Sequence, residues 1–225
     1  VKDKREFRRL AVLGWWCLVF LGAALLLIGS FYFDPAGQAW MKEHQERAVR
    51  NFMKWVSWAG DWPGHILLGL VLLGVAYWRR SQKWTRIFAA MLLACALAGI
   101  ATRVVKISTG RARPNVQSES SWNGPRFTPR FNSFPSGHTA ASTAFFATLA
   151  FASWRVGLPL LAIPLLIAFS RMYVAAHHLS DVVAAVIIGA VTAYVVVDWK
   201  PLQIGNRKPA RNASRSGAGG SKIGN

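Results

Sequence analysis

LAVLGWWCLVFLGAALLLIGSFYF, residues 10–33, is 24 residues long and carries no charge. At a helical rise of ~1.5 Å per residue it reaches about 36 Å, enough to cross the ~30 Å hydrocarbon core of a bilayer. The segment before it, Lys2 to Arg9, is strongly basic, which is also the pattern of a secretory leader. The apolar run is longer than a leader core, and no A-x-A cleavage site follows it. It reads as a retained membrane helix.

The whole chain supports that reading. Of its 225 residues 53% are hydrophobic, and the mean hydropathy is +0.27. The formal net charge is +18, from 27 Lys+Arg against 9 Asp+Glu. A basic chain suits a nucleic-acid binder or a membrane protein, and only the second needs uncharged runs of spanning length. Cys17 and Cys95 both fall in apolar runs and read as small hydrophobes, not as a disulfide or a metal site.

Five further apolar runs cover residues 62–78, 87–105, 139–154, 156–176 and 182–197. Several have only 15 to 17 residues free of charge, short for a span. The short runs begin or end beside polar groups: His138, Asp181, Arg103 and Arg171. Tryptophans 62, 78, 84, 154 and 199 mark the boundaries, as in an interfacial aromatic belt. The fold class is therefore all-α, a polytopic bundle of six transmembrane helices. Between the first two runs, residues 39–58 place Met41, Ala48, Phe52 and Trp55, with Ala59 just beyond, at helical spacing. This predicts an amphipathic helix lying on the outer surface.

With six spans, the segment before the first run, the RRSQKWTR loop, Arg155 and the tail share one side. They hold 16 of the 27 basic residues, so the positive-inside rule makes that side the cytoplasm. The chain divides into a basic cytoplasmic N-terminus (1–9), a six-helix membrane domain (10–199) with its site on the outer face, and a basic, disordered cytoplasmic tail (200–225). The implied location is a bacterial inner membrane.

On the outer side, Lys42, Arg47, Arg50 and Lys54 of the surface helix are balanced by Asp34, Glu43, Glu46 and Asp61. Arg103, Lys106, Arg111, Arg113, Arg126, Arg130 and Arg171 remain, opposed only by Glu119 and Asp181. A cationic cluster on the disfavoured side is explained by a bound anion. Topology brings Lys106, Arg113, His138, Arg171, His177 and Asp181 to one face of the bundle. Arginine forks and a lysine point charge suit phosphate. Ser136 reads as the N-cap of the fourth run, so the N–H groups of Gly137 and His138 would face an anion at a helix start. Two histidines and a carboxylate complete a phosphoryl-transfer set: a nucleophile, its orienting partner and an acid. His177 and Asp181 share a face if one helix holds both; Ser180 as N-cap would leave His177 in the preceding turn. Arg111, Arg126 and Arg130 read as loop-shaping residues, though one could contact a headgroup, and Arg103 as one that snorkels to the interface.

Three stretches, KISTGRARP (106–114), PSGH (135–138) and SRMYVAAHHLSD (170–181), follow the patterns K-x6-R-P, P-S-G-H and S-R-x5-H-x3-D. In this order they resemble the type-2 phosphatidic acid phosphatase superfamily, the lipid phosphate phosphatases. The resemblance implies His177 as nucleophile, Asp181 as its partner and His138 as general acid. It implies Lys106, Arg113, Ser136, Gly137 and Arg171 as the phosphate cradle, with no metal and no cofactor. His178, three residues from Asp181, competes with His177 for that carboxylate, and the motif spacing selects His177.

The expected activity is hydrolysis of a lipid phosphate through a phosphohistidine. Candidate substrates are an isoprenoid diphosphate, phosphatidylglycerol phosphate, phosphatidic acid and a lipid A phosphate; no nucleic-acid partner is implied. The same intermediate could serve a lipid phosphotransferase. A vanadate haloperoxidase shares similar motifs but is typically soluble. A non-catalytic anion or lipid carrier would need the cations but not both histidines with Asp181. A two-histidine, one-carboxylate metal site is opposed by the neighbouring cations.

Overall fold

The computed structural model describes residues 2–199, so the expectation for the 200–225 tail lies outside the described residues. The chain forms α1 (Lys2–Glu43), α2 (Arg47–Ala59), α3 (Trp62–Trp78), α4 (Gln82–Thr109), α5 (Gly137–Ala152), α6 (Trp154–Leu160), α7 (Ala162–Tyr173) and α8 (Leu179–Asp198). Among the described residues there is no β-sheet, only an isolated bridge between Arg111 and Trp122. Every apolar run has become helix, the fifth in two pieces: α6 and α7 meet at Leu161 and carry Pro159 and Pro164.

α5 is the centre. Thr139 to Leu149 is buried without interruption, so the helix needs no polar face. Ala90, Ala94 and Ala98 of α4 meet Ala140 and Ala144 of α5 and Ala185 of α8 in a seam of small residues. Such side chains let backbones approach closely, which matters where lipid removes the hydrophobic drive for helix association. Gly189 of α8 extends the seam: a Cβ there would lie 2.7 Å from the Ala140 carbonyl oxygen and 3.0 Å from Ala144 N. On the other side of α5, Phe145, Phe146 and Leu149 pack on Ile87, Met91 and Cys95.

Four helical stretches are long and apolar enough to cross a membrane on their own: Arg9–Glu43, Gln82–Thr109, Trp154–Tyr173 and Leu179–Asp198. α2 and α3, bent by 53°, supply a fifth if the pair counts as one span. α5, with 16 residues, is only about 24 Å long, a length a helix enclosed by its neighbours can have. No residue in the most apolar window of α1 is buried by the rest of the protein. A surface of that size and polarity needs lipid around it.

The surface helix differs from expectation. α1 continues to Glu43, the chain breaks at 44–46, and α2 resumes at Arg47. The predicted face of Met41, Ala48, Phe52, Trp55 and Ala59 is not the one that packs. Met53, Val56 and Ser57 are buried, while Phe52, Trp55 and Trp58 are exposed. α2 rests on α7 through a small polar residue, Ser57, that serves Arg171. Its bulky aromatics point away from the bundle, a placement suited to a bilayer interface.

Replacing Gly189 with alanine should force α5 and α8 apart. Overpacking of this kind costs about 1–3 kcal/mol. A lowered thermal midpoint of the detergent-solubilised protein would record it; an unchanged midpoint would mean the seam yields freely.

Candidate active site

The helix ends at one end of the bundle carry the polar groups. Lys106 sits in the last turn of α4, Ser136 caps α5, Arg171 sits in the last turn of α7, and Asp181 lies in the first turn of α8. Lys106, Arg113, Gly137, His138, Arg171 and His177 line one cavity of about 690 Å³. Its wall continues past Gly99, Ile100 and Val104 of α4 towards Trp62 and Ile66 of α3. Ile100 and Val104 are exposed, so the cavity opens on the lipid-facing flank of α4. Ser136 and Asp181 are fully buried behind it.

The segment between α4 and α5 delivers Arg113. It turns at Gly110, whose φ of +56° is left-handed and where a Cβ would fall 1.8 Å from the Gly124 carbonyl oxygen. Only glycine fits there. The loop then closes on itself: Ala112 N donates to Ser121 O (2.9 Å), and Arg113 N to Arg130 O (3.1 Å). Ser133 N donates to Arg111 O (3.0 Å).

His177 is in the turn between α7 and α8, held by its N–H to the Arg171 carbonyl at 3.2 Å. Ala175 in that turn has φ +56°, a left-handed conformation that costs a non-glycine residue about 1–2 kcal/mol. The N-cap of α8 is His178, not Ser180. Its N–H donates to Asp181 Oδ2 at 2.8 Å, and its ring bonds the Ala112 carbonyl at 3.1 Å and the Gln38 amide. His178 is thereby occupied as a cap, and His177 lines the cavity.

His177 Nδ1 lies 3.4 Å from Asp181 Oδ2, longer than a good hydrogen bond. Burial pushes the His177 imidazole down to about 3. Asp181 opposes that shift, while Lys106 and Arg171 add to it, so the ring is neutral at physiological pH. Asp181 is 0% exposed and accepts from Arg111 Nη1 (2.6 Å), Ser133 Oγ (2.5 Å) and His178 N. On the other wall, His138 Nε2 lies 3.3 Å from Asp61 Oδ1.

The cations are held by neutral groups. Lys106 Nζ donates to the Asn132 carbonyl at 2.8 Å, and Arg171 donates to Ser57 Oγ. Burial lowers the Arg113 guanidinium from its usual range, against the pull of Asp181. The Nε groups of Arg113 and Arg171 are buried with no acceptor among the described residues. Ser136 is the N-cap of α5 as expected, though its hydroxyl accepts from Thr139 Oγ1 (3.0 Å) instead of capping the helix. Gly137 and His138 are the first residues of α5, whose N–H groups have no intrahelical acceptor. A Cβ at Gly137 would meet only Lys106 Cε, at an ordinary 3.6 Å.

Three assignments change. Arg111 is not a loop-shaping residue: it is 5% exposed and bound to Asp181 and Asp34. Asp34 does not balance the surface helix, because it is 6% exposed and faces Arg111 and Ser180. A lone aspartate at the end of an uncharged span was the available signal, since a carboxylate there needs a partner. Asp61, likewise counted with the surface helix, lies 3.3 Å from His138 Nε2 instead. Ser133 was missed and does not stand out by spacing.

A model described as the PAP2 superfamily matches residues 87–204 of the chain. The lipid A 1-phosphatase of Rhizobium etli is 32% identical over 196 residues, covering 79% of this chain and 81% of that one. The chain belongs to the PAP2 superfamily. Among solved structures, the PAP2-type phosphatidylglycerolphosphate phosphatase of Bacillus subtilis superposes with a TM-score of 0.61 at 19% identity, over 80% of this chain and 92% of its own. Aquifex aeolicus LpxE does so with a TM-score of 0.55 at 20% identity, over 74% and 96%. At these identities the likeness is one of fold. This PAP2 protein, with its lipid-facing apolar helices, is an integral membrane protein.

The neutral state of His177 predicts a pH dependence of stability. Its folded pKa lies below the unfolded 6.5, so between about pH 6.5 and pH 3 the unfolded chain binds a proton that the folded one does not. Stability should fall as the pH drops through that window. In His177→Asn the acid slope should be smaller by about one proton, measured by thermal unfolding in detergent from pH 7 to 4. An identical slope in both proteins would count against a neutral buried imidazole.

Proposed function

We propose that this protein is an integral-membrane lipid phosphatase that forms a phosphohistidine on His177 and releases inorganic phosphate without a metal. The observation that carries the reading is one cavity holding Lys106, Arg113, Arg171 and both histidines at one end and an apolar wall at the other. A phosphate oxygen would accept from the guanidinium groups of Arg113 and Arg171 that line this cavity, and a lipid chain would lie along α4.

The steps balance. His177 Nε2 attacks phosphorus while the Asp181 carboxylate orients the Nδ1–H and stabilises the positive charge that develops on the ring, as in a triad. The bond from phosphorus to the lipid oxygen breaks, and its electron pair leaves with that oxygen, which receives a proton from His138. Water then attacks the phosphohistidine and returns a proton to His138 as the P–N bond breaks. Lys106, Arg113, Arg171 and the N-terminus of α5 with Ser136 and Gly137 stabilise the charge on the transferred group.

In the proposed topology residues 10–199 cross a bacterial inner membrane six times, with α3 and α5 as short crossings. The basic loops and both termini are cytoplasmic and the site faces outward; the charge distribution supports this orientation. Lipid A 1-phosphate is the first substrate to test, on the strength of the Rhizobium etli relative. Phosphatidylglycerol phosphate, phosphatidic acid and an isoprenoid diphosphate follow.

Purified protein in detergent with EDTA should release phosphate from at least one member of this panel. His177→Ala should lower turnover by about 10³-fold or more, the scale of losing a covalent nucleophile. Release abolished by EDTA would sink the metal-free mechanism, and release retained in His177→Ala would sink the phosphohistidine.

A further inference from the structure

The buried network behind His177 has a composition the phosphatase chemistry does not require. Arg111 Nη1 donates to Asp181 Oδ1 and to Ser180 Oγ, both at 2.6 Å. Arg111 Nη2 donates to Asp34 Oδ2 at 2.7 Å. Asp34 also accepts from Ser180 N (2.9 Å) and Ser180 Oγ (2.6 Å). The guanidinium rests against the adjacent rings of Phe31 and Trp122, with centroids 5.2 and 4.9 Å away. Guanidinium groups favour such aromatic contacts. Asp34 and Phe31 come from α1, Arg111 and Trp122 from the α4–α5 loop, and Asp181 and Ser180 from α8.

We infer that Arg111, itself fixed by Asp34, is a positioning residue that aims the Asp181 carboxylate at His177. The role rests on the phosphatase reading above. Asp181 has two oxygens with different duties. Oδ1 is taken by Arg111, and Oδ2 faces His177 Nδ1 while accepting from Ser133 and His178. A carboxylate that rotated about its terminal bond would lose the Oδ2–Nδ1 alignment needed when imidazole charge develops. Arg111 restrains that rotation through Oδ1, and Asp34 restrains Arg111 through the other arm of the fork. A lysine could reach one carboxylate as a point charge but could not bridge both in a plane. Neither Arg111 nor Asp34 lines the cavity that holds the phosphate-binding cations, so their effect is on orientation and not on substrate binding.

The test is a double-mutant cycle on the full chain in mixed detergent micelles, with lipid A and phosphatidic acid as probes. Arg111→Ala is avoided because it leaves two buried carboxylates without a cation; Arg111→Lys and Asp34→Asn keep the volume. Each should lower kcat by about tenfold or more, the scale on which outer partners of catalytic ligands act, with KM changed less than twofold. On an Asp181→Asn background, Arg111→Lys should change kcat less than twofold, because its target has gone. On a Lys106→Ala background it should keep its full effect. Equal losses on the wild-type and Asp181→Asn backgrounds, or a rise in KM without loss of kcat, would overturn the positioning role alone. A wild type that releases no phosphate from either lipid or from the rest of the panel would overturn the phosphatase reading and this role with it.

Discussion

One guanidinium and two carboxylates, all almost out of reach of water, hold the working end of this bundle together. Removing the partner of a buried charge typically costs about 3–5 kcal/mol, a large part of the ~5–15 kcal/mol net stability of a domain. Arg111 therefore cannot leave Asp34 and Asp181 without a substantial loss, and the segments that carry them are tied to one geometry. Asp34 is 77 residues from Arg111 in sequence, and Asp181 is 70. The first helix, which offers its apolar surface to lipid, is anchored to the bundle at this polar point as well as by contacts such as that between Trp16 and Tyr194. The hydroxyl of Ser180 and the N–H of His178 complete the set, so every oxygen of both carboxylates has a donor.

The other cations obey a different rule. Lys106 rests on a carbonyl and Arg171 on a hydroxyl, so their charge is positioned without being neutralised. Such groups repel one another and are stable together only because the helix ends fix them. For the proposed reaction such a site would be organised before the phosphate arrives, with little rearrangement left for the moment of reaction. Two residues apart, Arg111 and Arg113 thus do opposite electrostatic work: the charge of one is spent inside the fold, while that of the other faces the cavity.

The apolar runs, the three motifs and the convergence of Lys106, Arg113, His138, Arg171 and His177 were legible because each depends on local pattern or on the simple alternation of helix directions. What was not legible depends on side-chain direction. A count of signs pairs Asp34 with the nearest lysines and arginines, whereas the fold pairs it with an arginine far along the chain. Spacing identifies an amphipathic helix near Phe52 and Trp55 but does not say whether the aromatic stripe or the smaller Val56–Ser57 face meets the protein. The cap of the last helix fell to His178 instead of Ser180 because a ring held by Gln38 and the Ala112 carbonyl, together with an N–H to Asp181, outweighs the usual preference for a serine. Cap choice of that sort is a tertiary effect.

The cavity opens along the flank of α4, past Ile100 and Val104, and that has a kinetic consequence. The proposed lipid substrate, drawn in from the side, would never leave its leaflet, so the protein would meet it at its mole fraction among lipids and not at a volume concentration. Encounter becomes a two-dimensional search governed by lateral diffusion. Diluting the substrate with inert lipid would slow the reaction at constant total amount, whereas adding buffer would not. In the proposed reaction the two products would part at the same doorway, the tail back into the sheet of lipid and the phosphate into water, and that divergence of phases would itself oppose the reverse reaction.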